Sequence, residues 1–490
     1  MNAAAYLLAT GRAEAIALEC GEERLTYGEL REAVARAAAD WRARGLREGE
    51  RVLVFAPDCI AWIIAYLGTI WAGAVAVGLN SRLFERELSV VLSESGARFI
   101  WCTEGSRALL ERLFANVVDP PQLVIDTQWA EAIKAVAPVA AAELADDAMA
   151  LWVYTSGTTG LPKAVMHAQR SVIASADFAR DIIGLEESDR IYASSKMFFA
   201  YALGNSLCAG LRLGATVILD KEWPTAERVA EIVERHRPTA LFSVPTLYLK
   251  MLQSGVAARI AAAGVRRYVS AGEALPAAVR REWRAATGTA PVSGYGASET
   301  IVLVFYCDDE RALLKASPRV EYRVRDQGDH EAPQRLWLRH PSIARGYWQR
   351  PEAERDSFSD GWFSPGDLFR RREDGTLELC GRDDDMLKIS GQWVSILDVE
   401  QALLGATAGC VQGLAAVGFD NAEGLVSIAL FAVAATGQEA QACERLAAGI
   451  AALPKLKQPR LVKWVDELPL TATGKLQRRK LKEQFLRSAA

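Results

Sequence analysis

The chain has few histidines, no paired cysteines and no block of one charge. Its four histidines, His167, His236, His330 and His340, show no metal-ligand spacing, so nothing in the sequence points to a histidine-built metal centre. Eight cysteines (Cys20, Cys59, Cys102, Cys208, Cys307, Cys380, Cys410 and Cys443) are scattered without a Cys-x-x-Cys pair. That pattern argues against a disulfide framework or a zinc ribbon, and for reduced, mostly buried thiols in the cytoplasm. Lysine and arginine number 57 against 61 aspartates and glutamates, a net charge of −4. No basic block suggests a nucleic-acid partner, and the short basic cluster at 475–482 reads as a solvated face. No basic segment followed by an apolar core opens the chain, so no signal peptide is expected.

Long apolar runs are scarce too. The uncharged stretch 59–79 is nominally long enough to span a bilayer, but Gly68, Gly73 and Gly78 interrupt it. It reads as a core helix over 59–71 followed by a buried strand at 74–77, not as a membrane span. What remains is a globular composition, 50% apolar and 24% charged over 490 residues. That length implies two or three packed units. Monomer and homodimer are both open.

Strand-like segments at 51–56, 98–101, 123–125, 191–194, 216–219 and 240–244 alternate with helical ones at 29–42, 170–183, 225–235 and 277–286. Such alternation predicts α/β layers with largely parallel sheets. From about 316 to about 380 the pattern changes to short strands and turns, such as 335–339 and 376–380, as a small β-barrel unit would show. The acidic run Gly381-Arg382-Asp383-Asp384-Asp385 then punctuates the chain. The roughly 105 residues beyond it are enough for a small α+β domain. The expected fold is therefore α/β: a large N-terminal domain, 1–382, of layered α/β subdomains plus the barrel-like unit, then a small domain, 383–490. No internal repeat is present, and the alanine-rich tract 135–142 reads as a surface connector.

The chemistry is signalled first by Thr155-Ser156-Gly157-Thr158-Thr159-Gly160-Leu161-Pro162-Lys163, which follows the apolar run 148–153. A strand feeding a loop of glycines and hydroxyls can converge backbone N–H groups on an anion, with Lys163 as a mobile cation. It is not a Walker A loop, because Gly-Lys-Ser/Thr is missing. A second segment, Ser293-Gly294-Tyr295-Gly296-Ala297-Ser298-Glu299-Thr300, ends a strand in a glycine-flanked aromatic and sets a hydroxyl beside a carboxylate. Glu299 is a hard oxygen ligand that suits Mg²⁺ shared with phosphate groups. Gly272-Glu273-Ala274 lies between a strand and a helix. Gly366-Asp367 presents a carboxylate at a tight turn, able to accept hydrogen bonds from vicinal hydroxyls. No Ser-His-Asp arrangement is evident.

These segments, with Lys388-Ile389-Ser390-Gly391 and Thr471-Ala472-Thr473-Gly474-Lys475, resemble the motifs of the adenylate-forming superfamily: acyl-CoA synthetases, peptide-synthetase adenylation domains and luciferases. The resemblance runs in order from about Leu25 to about Lys482. It implies that Thr155–Lys163 holds the ATP phosphates, and that Gly272, Glu273 and Ala274 line the adenine pocket. Tyr295, beside Gly296, would stack on adenine, Ser298 would touch the α-phosphate, and Glu299 would bind Mg²⁺. Asp367 and Arg382 would hold the ribose. Lys475 would attend the reacting carboxylate and α-phosphate. Asp384 would be the hinge on which a mobile C-terminal domain turns, bringing Lys388 and Gly391 to the site for the thioester step. The implied activity is an AMP-forming carboxylic acid:CoA ligase using ATP, Mg²⁺ and coenzyme A. A stand-alone enzyme loading a carrier protein, or a non-catalytic nucleotide-binding relative, are the alternatives.

Phe198-Phe199-Ala200-Tyr201-Ala202-Leu203-Gly204-Asn205, Gly272-Glu273-Ala274-Leu275 and Gly391-Gln392-Trp393-Val394-Ser395 resemble the benzoate:CoA ligase branch most. By that match Phe199, Ala200, Tyr201, Gly294 and Val302 border the acyl group. Where the branch tends to place a histidine three residues after the metal-binding glutamate, this chain has Val302. An aryl, benzoate-like acid or a medium-size aliphatic acid is expected, because one pocket side chain shifts selectivity by about 1–3 kcal/mol. Two further departures are Ser364-Pro365 before Asp367, and a glycine-poor stretch at 316–326.

Overall fold

The computed structural model describes residues 1–156, 162–309, 311–324, 333–382, 385–389, 392–407, 409–421, 425–469, 476–478 and 480–483, with only the backbone of Ser156 and Asp420. Two sheets dominate. The larger runs, in order, Lys315–Ala316, Phe305–Cys307, Val292–Tyr295, Arg267–Ser270, Ala240–Ser243, Arg190–Ala193, Thr216–Leu219, Ile16–Cys20 and Glu23–Thr26. From Val292–Tyr295 to Ile16–Cys20 every pairing is parallel. The second sheet runs Gly346–Tyr347, Pro162–Ala168, Met149–Ser156, Val75–Gly78, Arg51–Phe55, Phe99–Cys102 and Gln122–Ile125, and is parallel from Met149–Ser156 onward. Parallel strands need their crossover helices on the sheet faces, which is why these strands are short and mostly buried.

The helices follow from local signals. Thr26 and Glu29 form a reciprocal capping box at the start of Tyr27–Ala43, satisfying backbone N–H groups that the first turn leaves unpaired. Ile60–Trp71 is apolar on all sides and buried between the sheets, so its lack of charge reflects the core rather than a bilayer. Among the described residues no helix is long and apolar enough to cross a membrane.

One expected helix is corrected. Residues 170–183 do not form a regular α-helix: Gln169–Val172 is a 3₁₀ turn and Phe178–Ile182 a π-helical turn. Buried Ser171, Ser175 and Asp177 sit within it, so the segment is enclosed on nearly every side. An amphipathic period assumes one continuous solvated face, and here only the far end, at Arg180 and Asp181, is exposed.

Beyond the second sheet, Glu321–Val324, Gln334–Arg339, Phe358–Ser359, Trp362–Phe363, Asp367–Arg371 and Leu377–Arg382 form an antiparallel unit. The chain then makes a hairpin, Met386–Ile389 with Gln392–Ser395. Helix Ile396–Ala406 follows, and the long pair Val411–Asp420 and Val426–Ala434 packs under Glu439–Ala452 around a separate apolar core.

Candidate active site

In open parallel sheets, ligands sit at the carboxyl ends of the strands, where chain direction and loop freedom coincide. Here the carboxyl ends of both large sheets converge. Met149–Ser156 and Pro162–Ala168 pair antiparallel with Thr155 opposite Lys163, which places Lys163 just beyond residues 157–161. From the other sheet, Val292–Tyr295 delivers the segment ending at Glu299. Lys163 Nζ lies 3.6 Å from Glu299 Oε1 and 3.7 Å from the centroid of the Tyr347 ring. Tyr347 donates its hydroxyl to the same Glu299 oxygen at 2.6 Å.

This trio is partly desolvated. Glu299 is buried and Lys163 half-buried. Burial holds the Lys163 ammonium below the ordinary lysine range, against the pull of Glu299. Burial, then the neighbouring carboxylate, pushes the Tyr347 phenol up, so it stays a hydrogen-bond donor. Among the described residues no cluster of three or more His, Cys, Asp or Glu could hold a metal. A single carboxylate with one oxygen engaged by tyrosine and lysine suits a Mg²⁺ that takes its remaining ligands from nucleotide phosphates and water. Bound there, the ion would neutralise phosphate charge.

Tyr295 donates its hydroxyl to Asp367 Oδ2, joining the large sheet to the antiparallel unit. Its ring stands edge-on to Phe369 at 5.4 Å. Burial raises the Asp367 carboxyl above its usual range, and Arg382 Nε lies 3.9 Å from Asp367 Oδ1. The Ser-Pro approach to Asp367 is accommodated by Gly366 at φ +79°, a left-handed conformation that costs glycine little. Glu273 is exposed, meets Thr246 Oγ1 at 3.2 Å and follows Gly272 at φ +95°. Lys388 sits on the exposed hairpin with Nζ 5.8 Å from the Trp393 ring centroid. Gly157, Thr158, Thr159, Gly160, Asp384, Gly391, Lys475 and the Ser156 side chain lie outside the described residues.

Sequence reasoning missed the supports beneath this site. The backbone carbonyls of Ser298, Glu299 and Thr300 all accept hydrogen bonds: from His167 Nε2 at 2.8 Å, Ala344 N at 2.8 Å and Ser342 Oγ at 2.6 Å. A carbonyl can only accept, so the proton of neutral His167 is on Nε2. Another missed anchor precedes the aromatic run. Both Asp58 oxygens accept from Met197 N, at 3.2 and 3.0 Å, while Lys196 Nζ donates to the carbonyls of Asp220 and Glu222. Burial lifts Asp58 to about 7. None of these pairings has a fixed spacing in sequence.

His167 makes a testable pH signature. Burial lowers it from 6.5 to about 4, so between those values the unfolded chain takes up a proton that the native chain excludes. Native stability is then undiminished above pH 6.5 and falls as the pH drops toward 4. We expect wild type, relative to His167→Gln, to lose about 1.4 kcal/mol per pH unit across that window. Urea unfolding of both proteins at pH 4.5, 5.5 and 6.5 reads the difference. A pH-independent difference would contradict a neutral, buried imidazole.

The fold and this convergence of a cation, a buried carboxylate and a second, hydrogen-bonded acid suit a nucleotide-using α/β enzyme. A profile of the family described as AMP-binding enzyme matches residues 8–348. The chain is 39% identical to a 3-hydroxybenzoate–CoA ligase of Aromatoleum sp. (strain CIB), over 99% of this chain and 97% of that protein. It is 38% identical to a 3-hydroxybenzoate–CoA/4-hydroxybenzoate–CoA ligase of Thauera aromatica, with the same coverage. Its structure superposes on a crystal structure of an anthranilate CoA ligase in complex with anthranoyl-AMP with a TM-score of 0.93, at 27% identity, covering 100% of this chain and 98% of that one. The chain belongs to the AMP-binding enzyme family.

Proposed function

We propose that the protein is an AMP-forming aryl acid:CoA ligase acting on benzoates that carry a ring hydroxyl. The observation that carries the reading is the Lys163–Glu299–Tyr347 cluster at the meeting of the two sheets, in a chain whose full-length relatives are hydroxybenzoate–CoA ligases. In the first half-reaction the substrate carboxylate attacks the α-phosphorus of ATP and pyrophosphate leaves. The protein's task is to align two anions and offset their repulsion. Lys163 and residues 155–160 would hold the departing phosphates, Glu299 would hold Mg²⁺, and Lys475 would face the reacting carboxylate and α-phosphate. Tyr295, Gly296 and Gly272–Ala274 would enclose adenine, Ser298 would meet the α-phosphate, and Asp367 with Arg382 would take the ribose. In the second half-reaction the CoA thiol attacks the aryl-adenylate and AMP leaves. The unit from 383 onward would turn about Asp384 to bring Lys388 and Gly391 into place.

Phe199, Ala200, Tyr201, Gly294 and Val302 would frame the aryl ring. Tyr201 hydrogen-bonds the carbonyls of Ser243 and Val269 at 3.2 and 3.0 Å, so its ring is fixed as a wall rather than free to swing. The cysteines described are all free thiols and mostly buried, which supports a reducing, cytoplasmic setting.

Pyrophosphate release over a panel of acids, with and without CoA, tests the reading. We expect kcat/KM for 3- or 4-hydroxybenzoate to exceed that for hexanoate by at least about tenfold, the scale of one or two pocket contacts. Preference for the aliphatic acid would overturn the aryl assignment. Adenylate formation without any CoA thioester would instead favour a carrier-protein thiol as acceptor.

A further inference from the structure

The segment after Glu299 holds a conformation its sequence disfavours. Ile301 has φ +53°, the left-handed region, where a β-branched residue is a genuine outlier. The next residue closes a tight turn, with Val302 N donating to Thr300 O at 2.6 Å. Three glycines leave room for this turn. A methyl group on Gly204 would lie 1.9 Å from the Ile301 carbonyl oxygen. One on Gly296 would lie 2.7 Å from the Val302 oxygen, and one on Gly294 would lie 2.4 Å from a Leu303 methyl.

What holds the turn differs along its length. Its first three carbonyls, at Ser298, Glu299 and Thr300, are pinned by His167, Ala344 and Ser342. Within the later residues Thr300 Oγ1 donates to the Val302 carbonyl at 2.9 Å, and the tie to a distant element is made by one side chain. Asn205, 2% exposed, accepts from Leu303 N at 3.0 Å and donates toward the Ile301 carbonyl at 3.5 Å. The same amide donates to the Tyr201 carbonyl at 3.0 Å. Asn205 lies on the π-helical turn Leu203–Cys208, directly after the helix Ala200–Ala202. Turns of this kind recur where a helix is re-aimed for a purpose.

We propose that Asn205 is a positioning residue for the acyl pocket: it ties Ile301 and Leu303, on either side of Val302, to the helix bearing Ala200 and Tyr201. Two walls of the pocket are thereby set by one amide. The inference rests on the acyl pocket lying at these residues. The ATP side should be insulated, because Ser298–Thr300 is anchored independently.

The test compares Asn205→Leu, which fills the space without hydrogen bonds, with Gly204→Ala, which pushes on the same turn but keeps the amide. Leu207→Ala, a buried truncation in the same helical turn, is the control for lost stability alone. We expect Asn205→Leu and Gly204→Ala to raise KM for the aryl acid about tenfold or more, while KM for ATP changes less than about twofold. Leu207→Ala should leave the ratio of the two KM values near that of wild type. Asn205→Ser, a smaller change that loses the amide's reach, gives the same reading if the leucine variant does not fold. A parallel rise in both KM values, or the same split in Leu207→Ala, overturns the proposal. The split is read on whichever acid wild type adenylates, so failure of the hydroxybenzoate assignment shows in wild type and is distinguishable from failure of the clamp.

Discussion

We expect Lys475→Ala to slow adenylate formation by about 10²–10³-fold, the loss typical of removing one preorganised charge from a transition state. Thioester formation from a supplied aryl-adenylate changes less than about threefold. The asymmetry follows from where charge gathers. In the first half-reaction a carboxylate approaches an α-phosphorus that already carries negative oxygens, and a cation at that point is worth most. Lys163 cannot replace it, because Lys163 is committed beside Glu299 and Tyr347, on the side where the departing phosphates would sit. In the second half-reaction the proposed turn about Asp384 would carry Lys475 away from the reacting carbonyl, so its removal should cost that step little. Pyrophosphate release with acid and ATP, against thioester formation from synthetic adenylate, separates the two steps. Equal losses in both would remove Lys475 from the reacting centre.

We expect Glu299→Gln to lower kcat/KM for ATP by about 10²-fold and to raise the Mg²⁺ concentration needed for half-maximal rate by about tenfold or more. Glutamine keeps an oxygen for the Tyr347 hydroxyl, which now meets Glu299 at 2.6 Å, so the fold is preserved and only the charge is lost. Two consequences combine. A hard cation loses its anionic oxygen ligand, and half-buried Lys163 loses the counter-charge 3.6 Å away, which leaves it costlier to keep protonated. We expect the thermal midpoint to fall by no more than this lost counter-charge, while the Mg²⁺ titration moves far. An unchanged Mg²⁺ dependence would contradict the metal role.

The strands of both parallel sheets were legible because uninterrupted apolar runs between turn residues have few other uses; 51–56 and 240–244 were placed within a residue of the observed Arg51–Phe55 and Ala240–Ser243. The largely enclosed segment at 170–183 was not legible, since a period in hydrophobicity exists only where one face meets water along the whole segment. The residues of the candidate site were legible as candidates where glycine and charge mark a loop, as at Lys163, Glu299 and Asp367. Tyr347, His167 and Asn205 were not. Each acts through a contact more than 40 residues away in sequence, and such contacts leave no local pattern.

The central claim, ATP-driven joining of an aryl acid to CoA through an aryl-adenylate, is tested most directly by product balance. Purified protein is incubated with ATP, Mg²⁺, CoA and 3-hydroxybenzoate, and nucleotides and thioesters are quantified together. AMP, pyrophosphate and 3-hydroxybenzoyl-CoA are expected in equal amounts, with a bound aryl-adenylate when CoA is omitted. ADP and phosphate as products, or AMP released with no thioester across the whole panel of aryl acids, would contradict it.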